Sequence, residues 1–406
     1  MIKEQEARLL PPLALQRAAH TPTARNPGLP HICLVATNIY PVLVKSPGIE
    51  FAGGAEVQQT IIANALCADG YRVSVLTADH GQADLVDRAG IRIHKLPAPG
   101  TRGIKGLRYL YPHMTDVVAG LERIDPDIVY LRVAGFRAAA AAWYARRHGK
   151  PFVYACAHDN ELLPGAAWSP GLRDTFLFGV ALRRADAVLL QNTRQQELLR
   201  QRGDTRGLVV PNCFMEPTAR SGTFGGPVLW VASIRPSKCP ERFLDLARAM
   251  PDKRFVMVGG ADKQSESGLG YYQRIQEMAK GVPNLSFIGY VPFDEVGGHY
   301  DGASVFVSTS DMEGFPNTFL QAWIRGVPTV SFVSPEVMRG QTGTVVCSDN
   351  ADMAARVASL TSNNEAWHKA SESCRNHFSR IHSVDAVLQS YRELFERLRR
   401  EQTGRL

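Results

Sequence analysis

Arg235 and Lys238 lie in the stretch VASIRPSKCPE, between an apolar run and a helix-like segment that opens with Pro240 and Glu241. Two cations beside a helix N-terminus suit a diphosphate, because fixed positive charge and oriented backbone N–H groups both favour an anion. When a bond to a diphosphate breaks, charge grows on the leaving oxygen, and preorganised cations stabilise it without a metal. An isolated Arg-x-x-Lys is more often a pair of solvated surface charges, so its context has to decide. A lone carboxylate, Glu313, sits in the turn DMEGFPN, which follows the run ASVFVSTS and leads into a segment with Asn317 as the expected N-cap and Gly326 as the stop. His158 and Asp159 end the run FVYACAHD, where a histidine is by default a satisfied loop or core residue. Gly53 and Gly54 open GAEVQQTIIANALCADG and would let backbone N–H groups approach an anion, although GG before a helix is also a common turn signal. Asp125 and Asp127 have the spacing of a DxD metal motif, but they directly precede IVYLR and read as a turn. No other His, Cys and acid cluster has metal-ligand spacing.

The elements that must position these residues alternate. ICLVAT, VSVLTA, IRIHKL, DIVYLR, FVYACA and AVLLQN are short β-branched runs separated by segments of helical spacing. After VVPNCFMEPTARSGTFGGP, a Pro-, Gly-, Ser- and Thr-rich stretch, the pattern restarts with VLWVAS, FVMVGG, LSFIGY, ASVFVSTS, PTVSFV and TVVCS. Alternating strands and helices predict mainly parallel sheets covered on both faces. The fold class is therefore α/β, with two Rossmann-like domains facing a central cleft where a ligand would bind. The expected divisions are a leader over 1–28, a first domain over 29–212, a linker over 213–226, a second domain over 227–383 and a C-terminal helix over 384–406. That helix places Val384, Val387, Leu388, Tyr391, Leu394, Phe395 and Leu398 on one stripe, with LRREQTGR expected to fray.

Composition excludes several classes. With 406 residues and 45% hydrophobic residues the chain can bury two cores, so disorder is not the default. The net charge of +7 favours anionic partners without choosing among them. The 7 cysteines are odd in number and never form a CxxC pair, which predicts a reduced, intracellular compartment. LLPPLAL is too short and its surroundings too acidic for a signal peptide, and no run of 18 apolar residues predicts a membrane span. The cations are spread along the chain without a nucleic-acid module, so no nucleic acid is expected. In RGIKGLRYLYPHM, Arg102, Lys105 and Arg108 interleave with apolar residues, which fits contact with anionic lipid as well as it fits an ordinary basic loop and helix.

Taken in order, GGAE (Gly53 to Glu56), the His158–Asp159 pair, VVPN ending at Asn212, Arg235 and Lys238, FVMVGG, IGYVPFDEV and EGFPNTFLQAWIRGVPTV resemble glycosyltransferase family 4 from about His31 onward. These are the retaining, nucleotide-sugar-dependent enzymes of the GT-B fold. The resemblance implies an acceptor domain followed by a donor domain, a C-terminal helix returning to the first domain, and no cofactor or metal beyond a nucleotide diphosphate sugar, UDP- or GDP-linked. It implies that Arg235 and Lys238 face the diphosphate and that Glu313 accepts from donor-sugar hydroxyls. His158 would lie at the reacting sugar without serving as a general base. Gly53, Gly54, Gly260, Val291, Gly314, Phe315 and Asn317 would line the donor. Two positions depart from the family pattern. Pro316 replaces a common glycine and lacks an N–H. Gln321 replaces the second glutamate, which takes both ribose hydroxyls, and an amide has one acceptor oxygen.

The resulting expectation is a retaining hexosyltransferase acting on a hydroxyl acceptor, with a bacterial surface glycan or lipid-linked oligosaccharide at the inner face of the cytoplasmic membrane as the expected partner. Two alternatives stay open: a nucleotide-sugar epimerase of the same architecture, and a catalytically weak sugar-nucleotide-binding partner in a glycan assembly complex. Pro316 and Gln321 motivate the second.

Overall fold

The computed structural model describes residues 26, 28–45, 53–98, 108–163, 171–216, 219–262, 268–293, 295–311, 313, 315–334 and 343–403. The first sheet contains β1 (His31–Val35), β2 (Arg72–Thr77), β3 (Leu85–Arg88), β4 (Ile91–Lys95), β5 (Ile128–Arg132), β6 (Phe152–Ala155), β7 (Ala187–Leu190) and β8 (Gly207–Val209). Its order is β3-β4-β2-β1-β5-β6-β7-β8, parallel except where β3 runs antiparallel to β4. The second sheet contains β9 (Val228–Val231), β10 (Phe255–Val258), β11 (Leu285–Gly289), β12 (Val305–Ser308), β13 (Thr329–Ser331) and β14 (Thr344–Val346), in the fully parallel order β11-β10-β9-β12-β13-β14.

Every apolar run marked in the sequence became a strand. β1, β5, β6, β7 and β12 are buried at every position, as continuous β-branched and aromatic runs must be when helices cover both faces. The half-exposed strands β3 and β8 at the two edges of the first sheet carry no such run and went unpredicted. In each sheet the chain builds outward from a central strand, then crosses to that strand's other side. The switch lies between β1 and β5 in the first sheet and between β9 and β12 in the second. Ligands of open α/β sheets bind beyond the carboxyl ends of the strands at this point.

The helix Val384–Thr403 packs on the first sheet although it follows the second in sequence. Val387, Leu388, Tyr391, Leu394, Phe395 and Leu398 join Ile32, Leu34 and Tyr130 of the sheet and Ile62 and Leu66 of the helix Gly54–Ala68 in one buried cluster. Arg392 Nε donates to Asp69 Oδ2 at 2.8 Å and fixes the helix from its rim. Contrary to expectation, the helix does not fray at LRRE. It is regular through Thr403, where Gln402 Nε2 donates to Gly149 O at 3.0 Å.

Asp125 and Asp127 have structural uses, as their turn position suggested. Asp127 Oδ2 accepts from the His31 N–H at 2.7 Å at the start of β1, and Lys150 pairs with Asp125 at 3.2 Å. Arg108 to Met114 form a wide turn around Pro112, and the regular helix begins only at Thr115. Arg102 and Lys105 lie outside the described residues. Among the described residues, no helix is long and apolar enough to cross a membrane.

Candidate active site

Four loops leave the carboxyl edge of the second sheet, and the expected donor residues ride on them. Arg235 and Lys238 follow β9, Gly260 follows β10, Val291 follows β11 and Glu313 follows β12. Because β9 and β12 are hydrogen-bonded neighbours at the switch point, Lys238 and Glu313 meet there. Lys238 Nζ donates to Glu313 Oε1, which also accepts from Ser310 Oγ at 2.7 Å. The pair is mostly buried, with side-chain exposures of 11% and 14%.

The backbone beneath Lys238 is held from both sides. Thr309 Oγ1 donates to Lys238 O at 2.8 Å, and Trp230 Nε1 of β9 donates to Thr309 Oγ1 at 2.9 Å. Cys239 then adopts a left-handed conformation, φ 46°, that is sparse for a residue with a Cβ, before Pro240 opens the helix Pro240–Ala249. Arg235 is exposed and forms no ion pair among the described residues. The helix's Glu241 is occupied by Tyr271, whose Oη lies 2.7 Å from Oε2, and by Arg274.

Gly259 and Gly260 bring the β10 loop against its neighbours. A Cβ on Gly259 would stand 1.9 Å from Ala232 O, which only glycine allows, and one on Gly260 would stand 3.1 Å from the Tyr290 ring. Val291 packs half-buried against the cluster that contains Phe315 and Trp323.

Phe315 faces inward. Its ring is 4.9 Å from that of His382 and 6.2 Å from that of Trp323, so the side chain anchors the Glu313 loop to the core. The helix Asn317–Ile324 behind it is packed down by the fully buried Phe319, Leu320 and Trp323, of which Phe319 and Trp323 are an i, i+4 pair on one face. Gln321 sits in the same helix with only 4% of its surface exposed. Gly314 lies outside the described residues.

Asn317 requires a correction. It is the first residue of its helix and caps nothing; Pro316 occupies the cap position and has no side-chain bond to offer. The Asn317 amide instead crosses to the first domain. Its Nδ2 donates to Gly54 O at 3.1 Å, and its Oδ1 accepts from Gln58 Nε2 at 3.0 Å and from Asn212 Nδ2 at 3.3 Å. Tertiary bonding outcompetes the local cap because all three partners lie more than a hundred residues away and are already ordered. Gly54, first in the helix Gly54–Ala68, thus touches the helix Asn317–Ile324, and Gly53 precedes it at the cap position.

His158 follows β6 in extended conformation, and its Nδ1 accepts from the Asn160 N–H at 3.1 Å. A neutral imidazole bonded this way carries its proton on Nε2 and presents a donor. Asp159 is buried beside it, accepting from Gln195 Nε2 at 2.9 Å and pairing with Arg194 at 3.2 Å. Reading the sequence missed Glu161, which is buried and locks the loop by accepting from Tyr154 Oη at 2.6 Å and from the Ala157 N–H at 3.0 Å. Its only signal was a second acid in HDNE.

Two sheets with switch points turned to one junction, and a cation–carboxylate pair at the second of them, define a GT-B glycosyltransferase. Residues 53–213 match the family model described as "Glycosyl transferase 4-like domain", and residues 227–363 match "Glycosyl transferases group 1". The chain belongs to this group 1, family 4 class of glycosyltransferases. It is 25% identical over 299 residues to a GDP-mannose-dependent alpha-mannosyltransferase of Mycolicibacterium smegmatis, covering 64% of this chain and 71% of that protein. Among solved structures it is similar to the sucrose-phosphate synthase of Thermosynechococcus elongatus, with a TM-score of 0.70 and 16% identity over 91% of this chain and 98% of the other. It is also similar to Anabaena Alr3699/HepE in complex with UDP and glucose, with a TM-score of 0.66 and 16% identity over 90% and 99%.

Proposed function

We propose that this glycosyltransferase moves a hexose from a UDP- or GDP-sugar to a hydroxyl acceptor with retention of configuration, in the assembly of a bacterial surface glycan. The observation that carries the reading is the meeting of Lys238 with Glu313 at the β9–β12 switch point. There one cation can face a diphosphate while the neighbouring acid accepts from sugar hydroxyls. Lys238 and Arg235 would stabilise charge on the leaving diphosphate in place of a metal. Gln321 would face the ribose, while Gly260 and Val291 would flank the nucleotide and Gly314 and Phe315 the sugar. Gly53 and Gly54 would approach the donor from the acceptor side. His158, with its proton on Nε2, is suited to donate to a sugar hydroxyl and unsuited to remove an acceptor's proton. The leaving phosphate would take that proton. The mannosyltransferase relative and the UDP complexes keep both bases in the test.

The test is thermal-shift screening against UDP-, GDP-, ADP- and TDP-sugars. A ligand at a hundred times its dissociation constant adds about 2.7 kcal/mol of stability, which is readily resolved. The product anomer from the donor that binds, read by NMR, decides the stereochemistry; an inverted product overturns retention. The membrane-face setting is tested by co-sedimentation with anionic liposomes after Arg102, Lys105 and Arg108 are replaced together. Release of an epimerised or hydrolysed donor without any acceptor would favour the epimerase reading instead.

A further inference from the structure

Arg132 ends β5, at the first sheet's own switch point, and is 92% buried by its 8% exposure. Among the described residues no carboxylate pairs with it. Its acceptors are amide oxygens: Nη2 donates to Asn212 Oδ1 at 2.8 Å and, with the Gln191 amide oriented to satisfy its neighbours, to Gln191 Oε1. A buried cation strongly prefers an oxygen, so Arg132 fixes which way both amides point. The Gln191 nitrogen is then left to donate to Ala157 O at 3.3 Å, one residue before His158. The Asn212 nitrogen is left to donate to Phe315 O at 3.4 Å and Asn317 Oδ1 at 3.3 Å, two and four residues after Glu313.

Gln58 closes the circuit from the helix that follows Gly53. Its Nε2 donates to Cys213 O at 2.7 Å and Asn317 Oδ1 at 3.0 Å, while its Oε1 accepts from the Cys213 N–H at 3.1 Å. In this orientation the Gln58 and Asn212 donors all meet oxygens, and the Gln191 nitrogen, besides Ala157 O, stands 3.1 Å from Gln195 Nε2. Gln58, Gln191 and Asn212 are all at least 95% buried, with exposures of 1%, 3% and 4%. Breaking any bond of such a buried network leaves its partner without water or a substitute, so the bonds from Asn212 and Gln58 to Asn317 favour one relative position of the two domains.

We propose that Asn212, oriented by Arg132 and seconded by Gln58, is a positioning residue that sets the register between the His158 loop and the Glu313 loop across the domain junction. This rests on the function proposed above only for the meaning of the register. The arrangement lets one amide transmit a displacement of either loop to the other. Arg132, Gln191, Asn212 and Gln58 act in this without touching the donor.

The experiment compares the full-length parent with Asn212→Asp, Gln58→Met and the double variant. Asn212→Asp keeps an oxygen for Arg132 but removes both donations toward Phe315 and Asn317. Hydrogen–deuterium exchange is followed by mass spectrometry over 156–161 and 315–320, together with affinity for UDP and GDP and nucleotide release from UDP-glucose and GDP-mannose. The expected result is at least tenfold faster exchange in both segments with Asn212→Asp and a smaller rise in both with Gln58→Met. Nucleotide affinity should stay within about threefold while kcat falls at least tenfold, and the double variant should be no worse than Asn212→Asp, because residues acting as one unit are non-additive. Faster exchange in one segment alone, or unchanged exchange in both, overturns the proposal. If the parent binds and turns over neither donor, the proposed function is what fails, and the two-segment exchange still decides the register. Gln58→Met gives the same reading if Asn212→Asp does not fold.

Discussion

Lys238 and Glu313, 75 positions apart in the chain, neutralise each other at the junction of β9 and β12. Each is the other's counter-ion in the free protein, so a bound nucleotide sugar would have to exchange this bond for two new ones, phosphate to the lysine and hydroxyl to the glutamate. A mostly buried pair also leaves a charge uncompensated when one partner is removed.

Replacing Lys238 with alanine is accordingly expected to lower kcat on the order of 10² to 10³-fold, the range seen when one preorganised group that stabilises developing charge is deleted. Circular dichroism should report an unchanged fold, because the Lys238 side chain packs no core. Near-parental turnover in this variant would remove the diphosphate role.

His158 should show its tautomer directly. Because Nδ1 accepts from the Asn160 N–H, long-range ¹H–¹⁵N correlation spectra at neutral pH are expected to place the proton on Nε2. A proton on Nδ1 would contradict the loop geometry and reopen the question of a general base.

Gln321→Glu restores the family's carboxylate in a nearly closed position. A hydrogen bond to a charged group is worth about 1 kcal/mol more than one to a neutral group, so UDP or GDP affinity by calorimetry should rise roughly five-fold. No gain would mean that the amide already meets what the ribose asks of this helix.

Stability should depend on pH through two buried histidines at the seam behind Phe315 and Trp323. Burial lowers His382 from 6.5 to about 3 and His377 from 6.5 to about 4. The unfolded chain binds these protons near pH 6.5 and the folded one does not, so the stabilisation is complete above pH 6.5 and lost as pH falls toward 4 and 3. Each histidine forfeits about 2 kcal/mol between pH 7.5 and 5. Urea midpoints at pH 7.5 and 5.0 check this, and His382→Gln should narrow the difference.

How far the sequence could be read follows from the range of the forces involved. β1 and β12 announced themselves because buried parallel strands must be continuous apolar runs, whereas β3 and β8 hide because an edge strand is half wet. Lys238 and Glu313 were found through motif order, and no spacing rule would have predicted that they bond to each other. Asn317 was misread because a local rule about caps competes with partners at Gly54, Gln58 and Asn212 that local pattern does not contain. Gln58 left one faint trace, a polar residue on the otherwise apolar face of VQQTII. Arg132 left less: it is simply the last letter of a strand, and its amide partners Gln191 and Asn212 lie 59 and 80 positions further on.

The helix Val384–Thr403 has a consequence for how the chain comes into being. It supplies six side chains to the core around β1, so the first sheet to leave the ribosome waits, with that face uncovered, until residue 398 has been made. The sheet of β9 to β14 needs nothing from this helix for its own buried clusters. Synthesis order and completion order are therefore opposed: the half that would hold the nucleotide can settle first, and the half made first is sealed last.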